Sequence, residues 1–107
     1  MNNAWVVYEQ GSTLGTRGSE EGTIIRDEDY DNESHITLEE NARAIPFAIT
    51  CWIRNWLVHT RYFGDRIVAQ QSYEEMKQEL ARIVELIRNL DDPEVGPLLD
   101  EFVKRFP

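Results

Sequence analysis

Ile45-Pro-Phe-Ala-Ile-Thr-Cys-Trp-Ile-Arg-Asn-Trp-Leu-Val-His-Thr-Arg-Tyr-Phe63 decides the fold, because it fits one periodicity and not the other. A helix through it would carry β-branched or aromatic side chains at most positions with Pro46 near its start, whereas two strands sort the same residues into faces. Joined by a two-residue turn at Arg54-Asn55, the strands pair Ile53 with Trp56, Cys51 with Val58, Ile49 with Thr60 and Phe47 with Tyr62. That face is almost wholly apolar. The other face then collects Trp52, Leu57, His59, Arg61 and Phe63, a mixed surface suited to a sheet with one wet side. In this register Cys51 and His59 sit on opposite faces, so no thiolate–imidazole pair is expected, and Cys51 reads as a buried structural cysteine.

The apolar face needs a cover, and the chain supplies one directly after Gly64. Ala69, Tyr73, Met76, Leu80, Ile83, Ile87 and Leu90 recur at alternating spacings of four and three, with Val84 widening the stripe. This is one side of a long amphipathic helix, with Asp65 placed to cap it. Asp91-Asp92-Pro93 is expected to end that helix, and Pro97 to Phe106 to form a short second one. A heptad-like stripe could also zip to a second copy, but a nearby unmatched sheet face is the commoner receptor.

Working toward the N-terminus, Ala4 to Tyr8 reads as a first strand. Gly11 to Gly22 has four glycines and no apolar period, which predicts a mobile loop or lid. It lacks the residues of a phosphate-binding loop. Thr23 to Arg26 and His35 to Leu38 read as strands flanking an acidic turn, Asp27 to Ser34. Strands first and helices last give an α+β fold: an antiparallel sheet of about five strands packed on a long amphipathic helix, with a short C-terminal helix, in one domain over 1–107. Trp5 and Trp56 are expected in the core.

Twenty Asp and Glu against eleven Lys and Arg give a formal charge of −9, which repels phosphate backbones and anionic membranes. Direct nucleic-acid or membrane binding is therefore not expected. A lone cysteine closes no internal disulfide, and Met1 to Glu9 has no cationic start or long apolar run, so the expected location is cytoplasmic. Alternate acids at 27, 29 and 31 match the opening of a calcium loop, but Asn32 stands where glycine is needed and Leu38 where a bidentate glutamate is needed. With one cysteine and two histidines there is no zinc set either, so no metal or cofactor is expected.

No nucleophile, base and orienter can be assembled from the sequence, and a non-catalytic role is the expectation. Residues 1–41 carry ten acids and two bases, so a steered partner would be basic and would approach there. The expected function is an acidic protein-binding module, of the kind that serves as an immunity protein or antagonist of a basic partner such as a nuclease. Asp27, Glu28, Asp29, Asp31 and Glu33 are the expected acidic contacts, with Trp52 and Arg61 as anchors on the uncovered sheet face. That face could also join two copies. The alternative is a small-ligand or regulatory domain in which the glycine loop closes over Tyr8, Trp5 or Trp52.

Overall fold

A computed structural model describes residues 5–43 and 45–107; Ala4, expected to open the first strand, lies outside them. Five strands form one antiparallel meander in chain order: β1 (Trp5–Val7), β2 (Thr23–Tyr30), β3 (Ser34–Ala42), β4 (Ile45–Ile53) and β5 (Leu57–Phe63). Helix α1 (Arg66–Ile87) crosses one face of the sheet, and α2 (Asp92–Arg105) follows it. The fold is thus α+β, as the order of periodicities predicts.

The core forms where two patterns meet. Ala69, Tyr73, Met76, Leu80 and Ile83 of α1 are fully buried, and so are Ile36, Leu38, Ile49 and Cys51 on the strands beneath. Each such large apolar side chain contributes roughly 1.5–3 kcal/mol gross. The Asp65 carboxylate accepts the Val68 backbone N–H at 2.9 Å and so starts α1 where the sequence places it. Asp91-Asp92-Pro93 plays a different part from the one expected. It opens α2, through a capping box between Asp91 and Glu94 with proline in the first turn, so the second helix begins at Asp92 rather than Pro97.

The β4–β5 hairpin is real, but its register differs by one residue. Ile53 pairs with Leu57, Cys51 with His59, Ile49 with Arg61 and Phe47 with Phe63. The turn is longer than expected: the Trp56 N–H donates to Ile53 O at 2.9 Å, and Asn55 takes φ 69 at the third turn position, which asparagine tolerates. A one-residue slip turns every β5 side chain over. Leu57, His59, Arg61 and Phe63 therefore lie on the helix side, and Val58, Thr60 and Tyr62 lie on the open side with Trp52. Trp56, expected in the core, is left in the turn at 37% exposure.

The acidic hairpin is also tighter than its sequence suggests. β2 runs on to Tyr30 and β3 starts at Ser34, so only Asp31, Asn32 and Glu33 make the turn. Asp31 and Asn32 both take positive φ, a conformation these two residue types adopt at low strain.

Tyr8 to Gly22 is not a mobile lid. It folds across the open face of β2 and β3 and is held by ladder-like bonds, Gly15 N–H to Ile24 O at 2.8 Å and Ile24 N–H to Thr16 O at 2.9 Å. Its anchor is Glu39, a fully buried carboxylate that accepts the Gly22 N–H at 2.9 Å and the Glu20 N–H at 3.2 Å.

Candidate interaction surfaces

The seven residues expected to meet a partner separate into three places. Strand alternation sends Asp27 and Asp29 to the open face and Glu28 to the helix face. Asp31 and Glu33 are in the turn, Trp52 is on the open face, and Arg61 is on the helix face.

Asp27 and Asp29 are buried at 5% and 8% exposure, not displayed. His35, also buried, lies between them, with Nε2 hydrogen-bonded to Asp27 and Nδ1 3.4 Å from Asp29 Oδ1. The Thr37 hydroxyl donates to Asp27 at 2.9 Å and the Thr13 hydroxyl at 2.7 Å, while the Asn32 N–H donates to Asp29 at 2.8 Å. The carboxylates approach the ring from opposite nitrogens. They do not converge on a common point, and among the described residues no group of His, Cys, Asp and Glu is placed to hold a metal ion. Buried polar groups need such internal partners, and here each has one. No sequence pattern points to the trio, because only the β2–β3 register brings Asp27 and Asp29 to His35.

Above the trio is an aromatic stack. The Trp52 ring lies parallel to His35 at 5.5 Å, and Tyr8 meets His35 edge-on at 4.5 Å. Tyr8, Asp29, Asn32, Trp52 and Arg54 line a shallow concavity of about 430 Å³. A second, of about 510 Å³, runs from Trp52 through Trp56 to Val58, and a third, of about 110 Å³, lies between Glu33, Trp56 and Arg88. All three share Arg54. The two turns that make this end of the molecule are joined by the Arg54 N–H, which donates to Glu33 O at 2.8 Å.

Glu28 faces α1 and is enclosed by it. Its carboxylate accepts from Lys77 Nζ at 2.9 Å, Tyr73 OH at 2.9 Å and Arg26 at 3.0 Å. Burial pushes its carboxyl up, but the Lys77 ammonium, the Tyr73 hydroxyl and Arg26 outweigh burial and hold it below the usual carboxylate range. A depressed carboxylate stabilises the fold above its unfolded pKa and loses that contribution as pH falls through the folded value. Glu28→Gln should accordingly lower stability by about 1–3 kcal/mol at neutral pH, the range for hydrogen bonds to a charged group. The deficit should close as pH falls below the ordinary glutamate range and through the depressed folded value, as urea titrations at several pH values would show. A deficit independent of pH would reject this role.

Arg61 is likewise tied inward. Its guanidinium donates to Ser72 Oγ, contacts Met76 Sδ at 3.6 Å, donates to Pro107 O at 3.1 Å, and lies over Phe63 and Phe106 at 4.8 and 5.2 Å. Cys51 and His59, expected on opposite faces, are direct cross-strand neighbours. They still form no reactive pair. His59 Nε2 bonds Phe106 O at 2.6 Å, and burial pushes the Cys51 thiol up to about 12.

Comparison with protein-family models, with curated proteins and with solved structures finds no match to this chain. No helix among the described residues is long and apolar enough to cross a membrane.

Proposed function

We propose that this chain is a non-catalytic protein-binding module that receives a basic partner at the end formed by the β2–β3 and β4–β5 turns, as an immunity-type antagonist of a basic enzyme such as a nuclease would. The supporting observation is the composition of that end. Trp52, Trp56 and Tyr8 supply apolar anchors around Arg54, and three concavities meet there. Trp, Tyr and Arg at the centre with charges at the rim is the usual anatomy of a binding hot spot. The rim is acidic. Glu9 follows Tyr8, Asp31 is exposed beside Arg88, and Glu33 lines a concavity, with buried Asp29 beneath them. Of the sequence-level candidates, Asp31, Glu33 and Trp52 belong to this surface. Asp27 supports it from below, and Glu28 and Arg61 serve the fold.

Such a rim acts through encounter rate, because complementary charge steers association and is screened by salt. The test uses the full chain with a photo-crosslinking residue at position 56 in its own cell, followed by purification of the protein it labels. That protein should be basic. Asp31→Lys combined with Glu33→Lys should slow its association about tenfold or more at ~50 mM salt and little at ~500 mM. No adduct from position 56, or an association rate indifferent to both salt and the charge reversal, would refute the proposal.

A further inference from the structure

The two edges of the sheet are unlike. β1 is three residues long, too short to template another chain, while β5 is seven residues long and among the described residues pairs with β4 alone. Long edges in natural proteins are usually blunted by proline, lysine, a bulge or an inward charge. Leu57–Phe63 has no proline or lysine, and its ladder with β4 runs without a register shift. Of these devices β5 carries one, the inward-facing Arg61, whose guanidinium is bonded to Ser72 and Pro107 of its own chain.

We infer that two copies of this chain join through their β5 strands, antiparallel about a two-fold axis at Thr60, so that the sheet continues across both. The register comes from the strand itself. Centred on Thr60, Val58 of one copy falls opposite Tyr62 of the other, and these are the exposed apolar side chains of β5, at 77% and 53%. Both lie on the open face, where cross-strand apolar and aromatic pairs stabilise a sheet. On the helix side Leu57 falls opposite Phe63. His59 falls opposite Arg61, each held back by its own C-terminal segment. In an antiparallel strand alternate residues aim both backbone groups outward, and this register pairs residues of equal parity. Outward groups therefore meet outward groups.

Charge selects the occupant. No acid occurs between Glu40 and Asp65, although the chain has twenty elsewhere. β5 is thus where a second chain of charge −9 meets least repulsion and where a basic protein finds least attraction. Of the carboxylates that approach this strand, Glu20 is taken by the Tyr62 hydroxyl, and Glu75 lies beside Arg61. This contact lies away from Asp31 and Glu33 and meets the turn-end surface only at Leu57 and Val58.

Sedimentation velocity on the full chain at tens of micromolar should give twice the chain mass of 12.5 kDa. Val58→Lys, which adds the lysine that edge strands commonly carry, should raise the dimer dissociation constant about tenfold or more. Its circular dichroism should be unchanged. Thr60→Cys should oxidise to a disulfide-linked dimer, because a residue on the axis meets its own copy at bridging distance. Val58→Cys should not, since Tyr62 stands across from it, and buried Cys51 stays silent. A mass of 12.5 kDa at every concentration, or a dimer unaffected by Val58→Lys and not trapped by Thr60→Cys, would overturn the inference. Val58 also borders the concavity that runs from Trp52 through Trp56, whereas Thr60 lines none of the three, so the Thr60→Cys result is the one independent of partner binding.

Discussion

Gly18→Ala is expected to destabilise the fold by on the order of 3 kcal/mol, a large effect for one methyl group. A Cβ built at Gly18 would sit 2.3 Å from Glu39 Cδ and 2.6 Å from both carboxylate oxygens. A side-chain end can often swing away from such a clash at small cost. Glu39 cannot, because it is fully buried and its oxygens accept the N–H groups of Glu20 and Gly22. Moving it would leave an ionised group and two backbone donors without partners inside the protein, each a desolvation penalty. The Gly18 N–H itself closes the turn on Gly22 O at 2.9 Å, so the backbone is not free to retreat either.

The controls lie in the same chain. Gly64→Ala meets nothing within 4 Å and needs no unusual φ, and should change stability by less than about 0.5 kcal/mol. Gly15→Ala also meets nothing, but it sits at φ 86 and should cost about 1 kcal/mol through backbone strain alone. Glu39→Ala and Gly18→Ala act on one contact, so the double variant should fall well short of their sum. Urea midpoints measure the four single variants and the double, and amide exchange over residues 15–23 should quicken in Gly18→Ala. A Gly18→Ala protein as stable as the Gly64→Ala control would mean that Glu39 does not hold the segment.

The order of that segment shows where sequence reading reaches its limit. Four glycines without apolar period describe the local chain correctly and say nothing of a carboxylate seventeen or more positions away. By contrast the α1 stripe as far as Ile87, its Asp65 cap and the paired strands are local patterns strong enough to be read directly, although the helix stops before Leu90, the last residue of the stripe. The errors lie at turns. Arg54-Asn55 read as a two-residue turn puts Arg61 on the open face; adding Trp56 to the turn moves it under the helix. The acidic hairpin fails the same way. With an eight-residue turn its carboxylates are solvated, while a turn of Asp31, Asn32 and Glu33 brings Asp29 opposite His35 and Asp27 opposite Thr37. Alternation in Asp27-Glu28-Asp29 and His35-Ile36-Thr37 held that information, but high acidity masked it as surface.

His35→Ala tests what that pairing is worth. The ring separates two buried carboxylates on one sheet face, and its nitrogens are the groups that link them. Without it, Asp27 keeps the Thr13 and Thr37 hydroxyls and Asp29 keeps the Asn32 N–H, but two like charges remain in a poorly hydrated layer with nothing between them. A buried group left short of a hydrogen-bond partner costs about 1–3 kcal/mol, so the two carboxylates together should cost about 3–5 kcal/mol. The loss also takes the parallel contact with Trp52 and the edge contact with Tyr8. For a chain of this length the melting temperature should fall by roughly 15–25 °C. A cavity alone would give a fall that no change at the aspartates could repair. If charge is the cause, Asp29→Asn in the His35→Ala background should recover a third or more of the loss, about 1–2 kcal/mol, although the same substitution in the native background should destabilise. That reversal of sign is the diagnostic outcome. Should Asp29→Asn be destabilising in both backgrounds, the ring would act by packing under Trp52, and the carboxylates on either side would be bystanders.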